Sequence, residues 1–264
     1  MRLTVLGKSP AWQDAGGACS GYLVEDAGTA LVLDCGNGVF AKLRAARDYT
    51  EIDAVLISHL HADHILDLVP FAYALVLSPR QQPVPVAGYP GTHDPARPRL
   101  IAPRGAREAF RRLGSAWGGE SLIEDAFALE EYNVSSRVEI GTLEARFTQV
   151  PHYVPSHAVN LSPRSGGGRL TFGADCSPSE ALVEAARDTD LLLVEATLPR
   201  PERTGVRGHL TPAEAGDHGR RAGARRVVLT HYSDELDAAL AAAEASSAFG
   251  APVQMATDGA VYEI

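Results

Sequence analysis

Between Val55 and His64 an apolar run stops at three imidazoles and a carboxylate: Val55-Leu56-Ile57-Ser58-His59-Leu60-His61-Ala62-Asp63-His64. Imidazole nitrogens and carboxylate oxygens are the usual protein ligands of zinc and of harder divalent cations. His59 and His61 are two apart, so in extended chain they point to the same side. Asp63 and His64 open what reads as a helix from Ile65 to Leu77, kinked at Pro70, and point elsewhere. Two pairs of ligands with two directions predict two metal ions. A helix start with incidental histidines is the ordinary alternative, but four ligand-competent side chains in six residues after an apolar strand favour the metal site.

The elements that must hold such a site repeat one design, a strand that runs into a ligand-competent residue. Val55 to Ser58 leads to His59, Leu143 to Val150 to His152, Arg169 to Ala174 to Asp175, and Arg225 to Leu229 through Thr230 to His231. His157 competes with His152; their odd separation sends them to opposite faces of an extended chain, and His152 is the preferred ligand, with His157 lining the pocket or packed in the fold. After Asp175, Ser177-Pro178-Ser179-Glu180 has a capping serine, proline in the first helical position and glutamate in the third, which predicts a helix through Arg187 that holds the carboxylate in place. The two oxygens of Asp175 allow it to bridge two ions. Asp34, at the end of the strand 30–34 and followed by Cys35-Gly36-Asn37-Gly38, suits a group that accepts the outer N–H of a metal-bound imidazole; the bland reading is a turn-forming Asp-x-Gly. Thr211-Pro212-Ala213-Glu214 repeats the capping pattern, so His209 stands just before a helix N-terminus, a position that favours anions. His93 reads as a loop histidine, His218 as part of a solvated helix face beside arginines, and Cys176 as a small buried thiol.

His59-Leu60-His61-Ala62-Asp63-His64 resembles the HxHxDH signature of the metallo-β-lactamase superfamily of hydrolases. The flanking sequence is most similar to the ribonuclease Z-like branch, including class II-type cyclic-nucleotide phosphodiesterases, and the likeness extends over nearly the whole chain. Val150-Pro151-His152-Tyr153-Val154-Pro155-Ser156 resembles the third motif of that family. The resemblance implies an α/β fold, the four-layer αββα sandwich, and a strand and helix pattern of this kind permits it. It implies His59, His61, His152 and Asp175 around one ion and Asp63, His64, Asp175 and His231 around the other, with Asp175 bridging and Asp34 orienting an imidazole. Two zinc ions are the default for this nitrogen and oxygen donor set, with manganese or iron as alternatives. The resemblance also implies a Glu195/His209 pair in which the histidine meets the reacting phosphate, and Asp63 as general base for the attacking water. Glu195 would keep His209 protonated and oriented.

Length and composition fit this reading. With 264 residues, 45% hydrophobic and 22% charged, the chain suits a soluble α/β domain, and nothing in it looks like a linker, so residues 1–264 are expected to form one domain. A net charge of −9 argues against a broad polyanion-binding face and for a small anionic substrate rather than a long nucleic acid. Three widely spaced cysteines suit a reducing compartment better than a disulfide framework, the opening Met1-Arg2-Leu3-Thr4-Val5-Leu6-Gly7 reads as a strand rather than a signal peptide, and no apolar run has membrane-helix length; the expectation is a cytoplasmic enzyme without a membrane partner. Residues 79–99, rich in proline, predict a long surface loop. Relatives are often dimers, and this loop could contribute to a homodimer.

Two metal ions a few ångström apart activate water and stabilise both the attacking and the departing oxygens of a phosphoryl centre, which points to phosphodiester hydrolysis. Ribonuclease Z proper carries a long tRNA-grasping arm, commonly between its third and fourth motifs, but only residues 153–174 separate His152 from Asp175. The preferred substrate is therefore a small phosphodiester such as a cyclic nucleotide. The alternatives are tRNA 3′ processing of the ribonuclease Z type and acyl hydrolysis of a lactone, thioester or β-lactam; acyl hydrolases of the superfamily generally do without the Glu195/His209 element. A non-catalytic scaffold is disfavoured because every expected ligand is present.

Overall fold

Ala30-Leu31-Val32-Leu33 shows why two sheets form. Leu31 and Leu33 point into one apolar cluster with Leu161, Phe172 and Leu193, whereas Ala30 and Val32 point into another with Val39, Leu43 and Phe71, and all are fully buried or nearly so. A strand buried on both faces has a sheet on one side and helices on the other. The computed structural model describes residues 1–264 except Tyr89 and Arg203.

The first sheet contains β1 (Arg2–Gly7), β2 (Gly21–Asp26), β3 (Thr29–Cys35), β4 (Ala54–Leu56), β5 (Arg99–Pro103) and β6 (Ala128–Tyr132). The second contains β7 (Arg137–Ile140), β8 (Leu143–Val150), β9 (Ser156–Pro163), β10 (Leu170–Phe172), β11 (Leu191–Glu195), β12 (Val227–Thr230) and β13 (Gln254–Met255), and β14 (Val261–Glu263) returns to the first. The orders are β14-β1-β2-β3-β4-β5-β6 and β13-β12-β11-β10-β9-β8-β7. In each sheet three antiparallel pairings are followed by three parallel ones, from β3 to β6 and from β10 to β13. The inner faces pack against each other through Leu3, Tyr22, Leu33, Leu161, Phe172 and Leu193. Outside the first sheet lie α1 (Val39–Ala46), α2 (Ala62–Ile65), α3 (Leu68–Leu77), α4 (Ala106–Ser115) and α5 (Leu122–Ala126); outside the second lie α6 (Glu180–Ala185), α7 (Pro212–Ala222) and α8 (Ala238–Phe249). The arrangement is the expected αββα sandwich. No helix among the described residues is long and apolar enough to cross a membrane.

Several local expectations change. The single helix over 65–77 is two helices, broken at Leu66-Asp67 rather than kinked at Pro70. The Asp67 amide donates to Cys35 O (3.1 Å) and its carboxylate accepts from Phe40 N (2.8 Å), so residue 67 is tied to the strand end and α1. Pro70 falls in the first turn of α3, where its missing N–H costs nothing. The cap of α6 is Ser179, whose hydroxyl accepts from Leu182 N, because Ser177 donates its amide to Pro151 O. Strand β9 is not apparent in the sequence; it pairs with β8 along its whole length. The 79–99 segment, Tyr89 lying outside the described residues, has one short helical turn, Pro79–Gln81, and a single bridge residue, Val86, before β5.

Candidate metal centre

His59, His152, Asp175 and His231 lie one to three residues beyond the C-terminal ends of β4, β8, β10 and β12, and His61, Asp63 and His64 follow His59. In parallel segments these ends share one rim, and loops leaving them converge there. His59 and His61 lie on the connection from β4 to α2, Asp63 and His64 in α2, His152 after β8, Asp175 after β10 and His231 after β12. Three residues around the site, Asp34, Ala174 and His231, have φ of 57, 53 and 51°, left-handed values that cost an L-residue on the order of 1–3 kcal/mol each. Such strain is retained where tertiary contacts aim particular side chains.

Donor atoms of His59, His61, His152 and Asp175 form one group, and those of Asp63, His64, Asp175 and His231 a second, with every donor within 4.8 Å of the others in its group. His61 Nδ1 lies 3.2 Å from His59 Nε2 and 3.0 Å from His152 Nε2. Asp175 Oδ2 lies 3.3 Å from His64 Nε2, 3.2 Å from His231 Nε2, 3.8 Å from His59 Nε2 and 4.0 Å from His152 Nε2. Asp63 Oδ2 lies 3.1 Å from His231 Nε2 and 3.5 Å from His64 Nε2. Tetrahedral zinc with bonds of about 2.0–2.1 Å spaces its donors about 3.3 Å apart. The cluster can therefore bind metal ions.

The outer hydrogen bonds assign tautomers that aim lone pairs inward. Asp34 Oδ2 accepts from His64 Nδ1 (2.7 Å) and from Ser58 Oγ (2.7 Å), and Asp34 Oδ1 from Ser58 N (2.7 Å). Since the Ser58 hydroxyl donates to Asp34, it accepts from His59 Nδ1 (3.0 Å). His152 Nδ1 donates to Gly208 O (2.8 Å). Thr197 Oγ1 donates to Glu195 Oε2 (2.7 Å) and so accepts from His231 Nδ1 (2.8 Å). Each of these four imidazoles keeps Nε2 for the centre. His64 Nε2 is buried with no hydrogen-bond partner, an orphan that a cation would satisfy.

Electrostatics agree with a site built for positive charge. Burial, reinforced by neighbouring imidazoles, holds His59, His61 and His152 below the usual histidine range, in the neutral form that binds metal. Burial raises the affinity of Asp63 and Asp175 for protons, but His231 and His64 outweigh it and hold both carboxyls well below their ordinary values. His64 itself is pushed up against its own burial by Asp175 and Asp34.

Beside these groups stands a third, Glu195, His209 and His231. Glu195 is buried and already accepts from His209 Nδ1 (3.0 Å), Cys176 N (2.9 Å), Leu210 N (3.1 Å) and the Thr197 hydroxyl (2.7 Å), which makes it an anchor rather than a ligand. Burial lowers His209, but the Glu195 carboxylate outweighs it and sets the imidazole at about 9, so it is cationic at neutral pH. Its Nδ1 lies 4.0 Å from Asp175 Oδ2, and the side chain is partly open to solvent. Immediately beyond, Thr211 and Glu214 form the expected capping box at the start of α7.

The remaining candidates fall elsewhere. His157 is buried and donates from Nδ1 to Ser58 O (3.4 Å), outside both donor groups. Cys176 is a buried thiol, pushed up by burial, and His93 is exposed. The solvated-face reading of His218 is wrong: it is buried, donates from Nδ1 to Glu214 O (2.7 Å) and accepts Ser179 N at Nε2 (3.0 Å), and so joins α7 to the cap of α6. Sequence reasoning missed Ser58 and Thr197, the hydroxyls that relay Asp34 and Glu195 to His59 and His231. Ser58 directly precedes His59 and Thr197 lies two residues after Glu195, which was the available signal.

Gly36 is required by close approach: a Cβ there would lie 1.8 Å from Asp63 O. Gly36→Ala is expected to displace Asp63 and cost roughly 1–3 kcal/mol. Metal titration with parallel thermal melts should show weaker binding together with a lowered Tm; unchanged values for both would remove this constraint.

A family model described as Beta-lactamase superfamily domain matches residues 29–232. Ribonuclease Z of Myxococcus xanthus (strain DK1622) is 31% identical, with 100% of this chain and 98% of the relative covered. That alignment runs over 307 positions against 264 residues here, so the relative carries segments without counterpart in this chain. The metallo-β-lactamase fold protein YhfI of Bacillus subtilis superposes with a TM-score of 0.83 at 25% identity over 99% of both chains. Yeast PDE1, at 13% identity, shares the fold with a TM-score of 0.73 over 98% of both chains.

Proposed function

Since this chain belongs to the β-lactamase superfamily of metal-dependent hydrolases, we propose that it holds two zinc ions and hydrolyses a small phosphodiester such as a cyclic nucleotide. The observation that carries the choice of phosphodiester is the Glu195–His209 pair beside the two donor groups. His59, His61, His152 and Asp175 would hold one ion, and Asp63, His64, Asp175 and His231 the other. Bound there, the ions supply Lewis-acid polarisation of the phosphoryl group and lower the pKa of water.

The chain's own residues do the rest. Asp63, held ionised, takes up the proton of the attacking water at a carboxylate oxygen. His209, cationic and fixed through Nδ1 by Glu195, presents Nε2–H to a phosphoryl oxygen and then to the departing oxygen. Asp34 orients His64 directly and His59 through Ser58.

The small substrate is supported by what fills residues 153–174. Strands β9 and β10 and their turn use that interval within the sheet. The 31% identity to a ribonuclease Z keeps tRNA 3′ processing as the second reading. A substrate panel in zinc or manganese separates them. Cyclic AMP and bis-aryl phosphates should be hydrolysed and precursor tRNA left essentially intact; ready trimming of precursor tRNA with no action on the small diesters would reverse the choice.

A further inference from the structure

Tyr153 follows His152 directly and stands at the rim of the centre. Its ring centroid lies 4.9 Å from that of His152, 5.8 Å from His209 and 6.5 Å from His61. Although 49% exposed, it is not a free surface side chain. Its hydroxyl donates to Glu202 Oε1 (2.7 Å), and Glu202 Oε2 accepts from Gly208 N (3.2 Å). The ring lies against the backbone of Gly208: a Cβ there would fall 2.2 Å from Tyr153 Cε2 and 2.3 Å from Cζ. Gly208 is also the residue whose carbonyl accepts from His152 Nδ1 (2.8 Å). One network thus fixes a metal-ligand candidate and an aromatic plate about half of which stays open to solvent.

We propose that Tyr153 is the platform on which the base of a nucleotide substrate stacks, so that the diester recognised at this centre is a nucleoside phosphodiester. The inference rests on the phosphodiesterase reading and narrows it. Apolar faces of bases stack on tyrosine with little regard to sequence, and an aromatic whose rotamer is already fixed loses little entropy when it binds. The ring adjoins His209, the residue assigned to the phosphate, so a base on Tyr153 and a phosphate at the centre would be spanned by one sugar.

The test compares cyclic AMP with its base-free counterpart, the methyl riboside 3′,5′-cyclic phosphate, in the zinc-loaded enzyme. The readout is the ratio of kcat/KM for the nucleotide to that for the base-free diester. In Tyr153→Leu this ratio is expected to fall about tenfold, on the scale of one base–aromatic stack, through KM rather than kcat, and Tyr153→Phe should retain most of it. General damage to the centre would lower both substrates together and leave the ratio unchanged, which overturns the proposal, as would an equal fall of the ratio in the Phe and Leu variants. If the unaltered enzyme hydrolyses neither diester, the phosphodiesterase reading itself has failed.

Discussion

Asp175→Ala is expected to purify folded but without a full metal complement, with phosphodiester turnover lowered more than about 100-fold, beyond the usual effect of altering an outer hydrogen-bond partner. Asp175 is the residue shared by both donor groups, and its Oδ2 lies within 3.2–4.0 Å of imidazole nitrogens from His231, His64, His59 and His152. Its removal leaves each group with three side chains and takes away a buried negative charge that offsets the cations. The substitution itself shortens a side chain in the centre and leaves the β10–α6 backbone contacts in place, so circular dichroism should match the unaltered protein. The checks are metal analysis and turnover on the same sample. Undiminished metal content would mean that Asp175 is not the bridge.

His209→Ala is expected to behave in the opposite way, with metal content retained and phosphodiester turnover lowered about 10²–10³-fold, the usual cost of losing one donor to a developing anion. His209 lies outside both four-residue groups and is held by Glu195, so its removal takes no donor from either of them. Acyl hydrolysis of a lactone or thioester has no phosphoryl oxygen for this imidazole to meet and should change little. The two substrate classes, assayed on one preparation, thus separate the phosphodiesterase reading from the acyl-hydrolase one. An equal loss on both, or none on phosphodiesters, would remove His209 from its assigned role.

The candidate donor cluster is legible because its most informative part is continuous in the chain. His59 to His64 place four candidate ligands in six residues, and the other candidates each follow an apolar strand, where a local pattern marks the rim of a sheet. The αββα layering was implied by the family resemblance, whereas the strand order and the matching halves of the two sheets depend on pairings between distant segments that no local pattern records. Strand β9 escaped notice because Ser156-His157, Asn160 and Ser162-Pro163 dilute its apolar residues, and it is stabilised by pairing with β8 and β10. The choice of helix cap between Ser177 and Ser179 is likewise tertiary: Ser177 is taken by Pro151 O, which ties the Asp175 loop to the His152 loop. His218 looked solvated because arginines flank it, yet the amide of Ser179 on a neighbouring element needed an acceptor there. The hydroxyl relays through Ser58 and Thr197 became visible only once their partners were in place.

The most direct test of the central claim is anomalous diffraction at the zinc edge from crystals of the protein loaded with zinc. The account predicts two anomalous peaks per chain, one among His59, His61, His152 and Asp175 and one among Asp63, His64, Asp175 and His231. A single peak, or peaks away from these side chains, would contradict it.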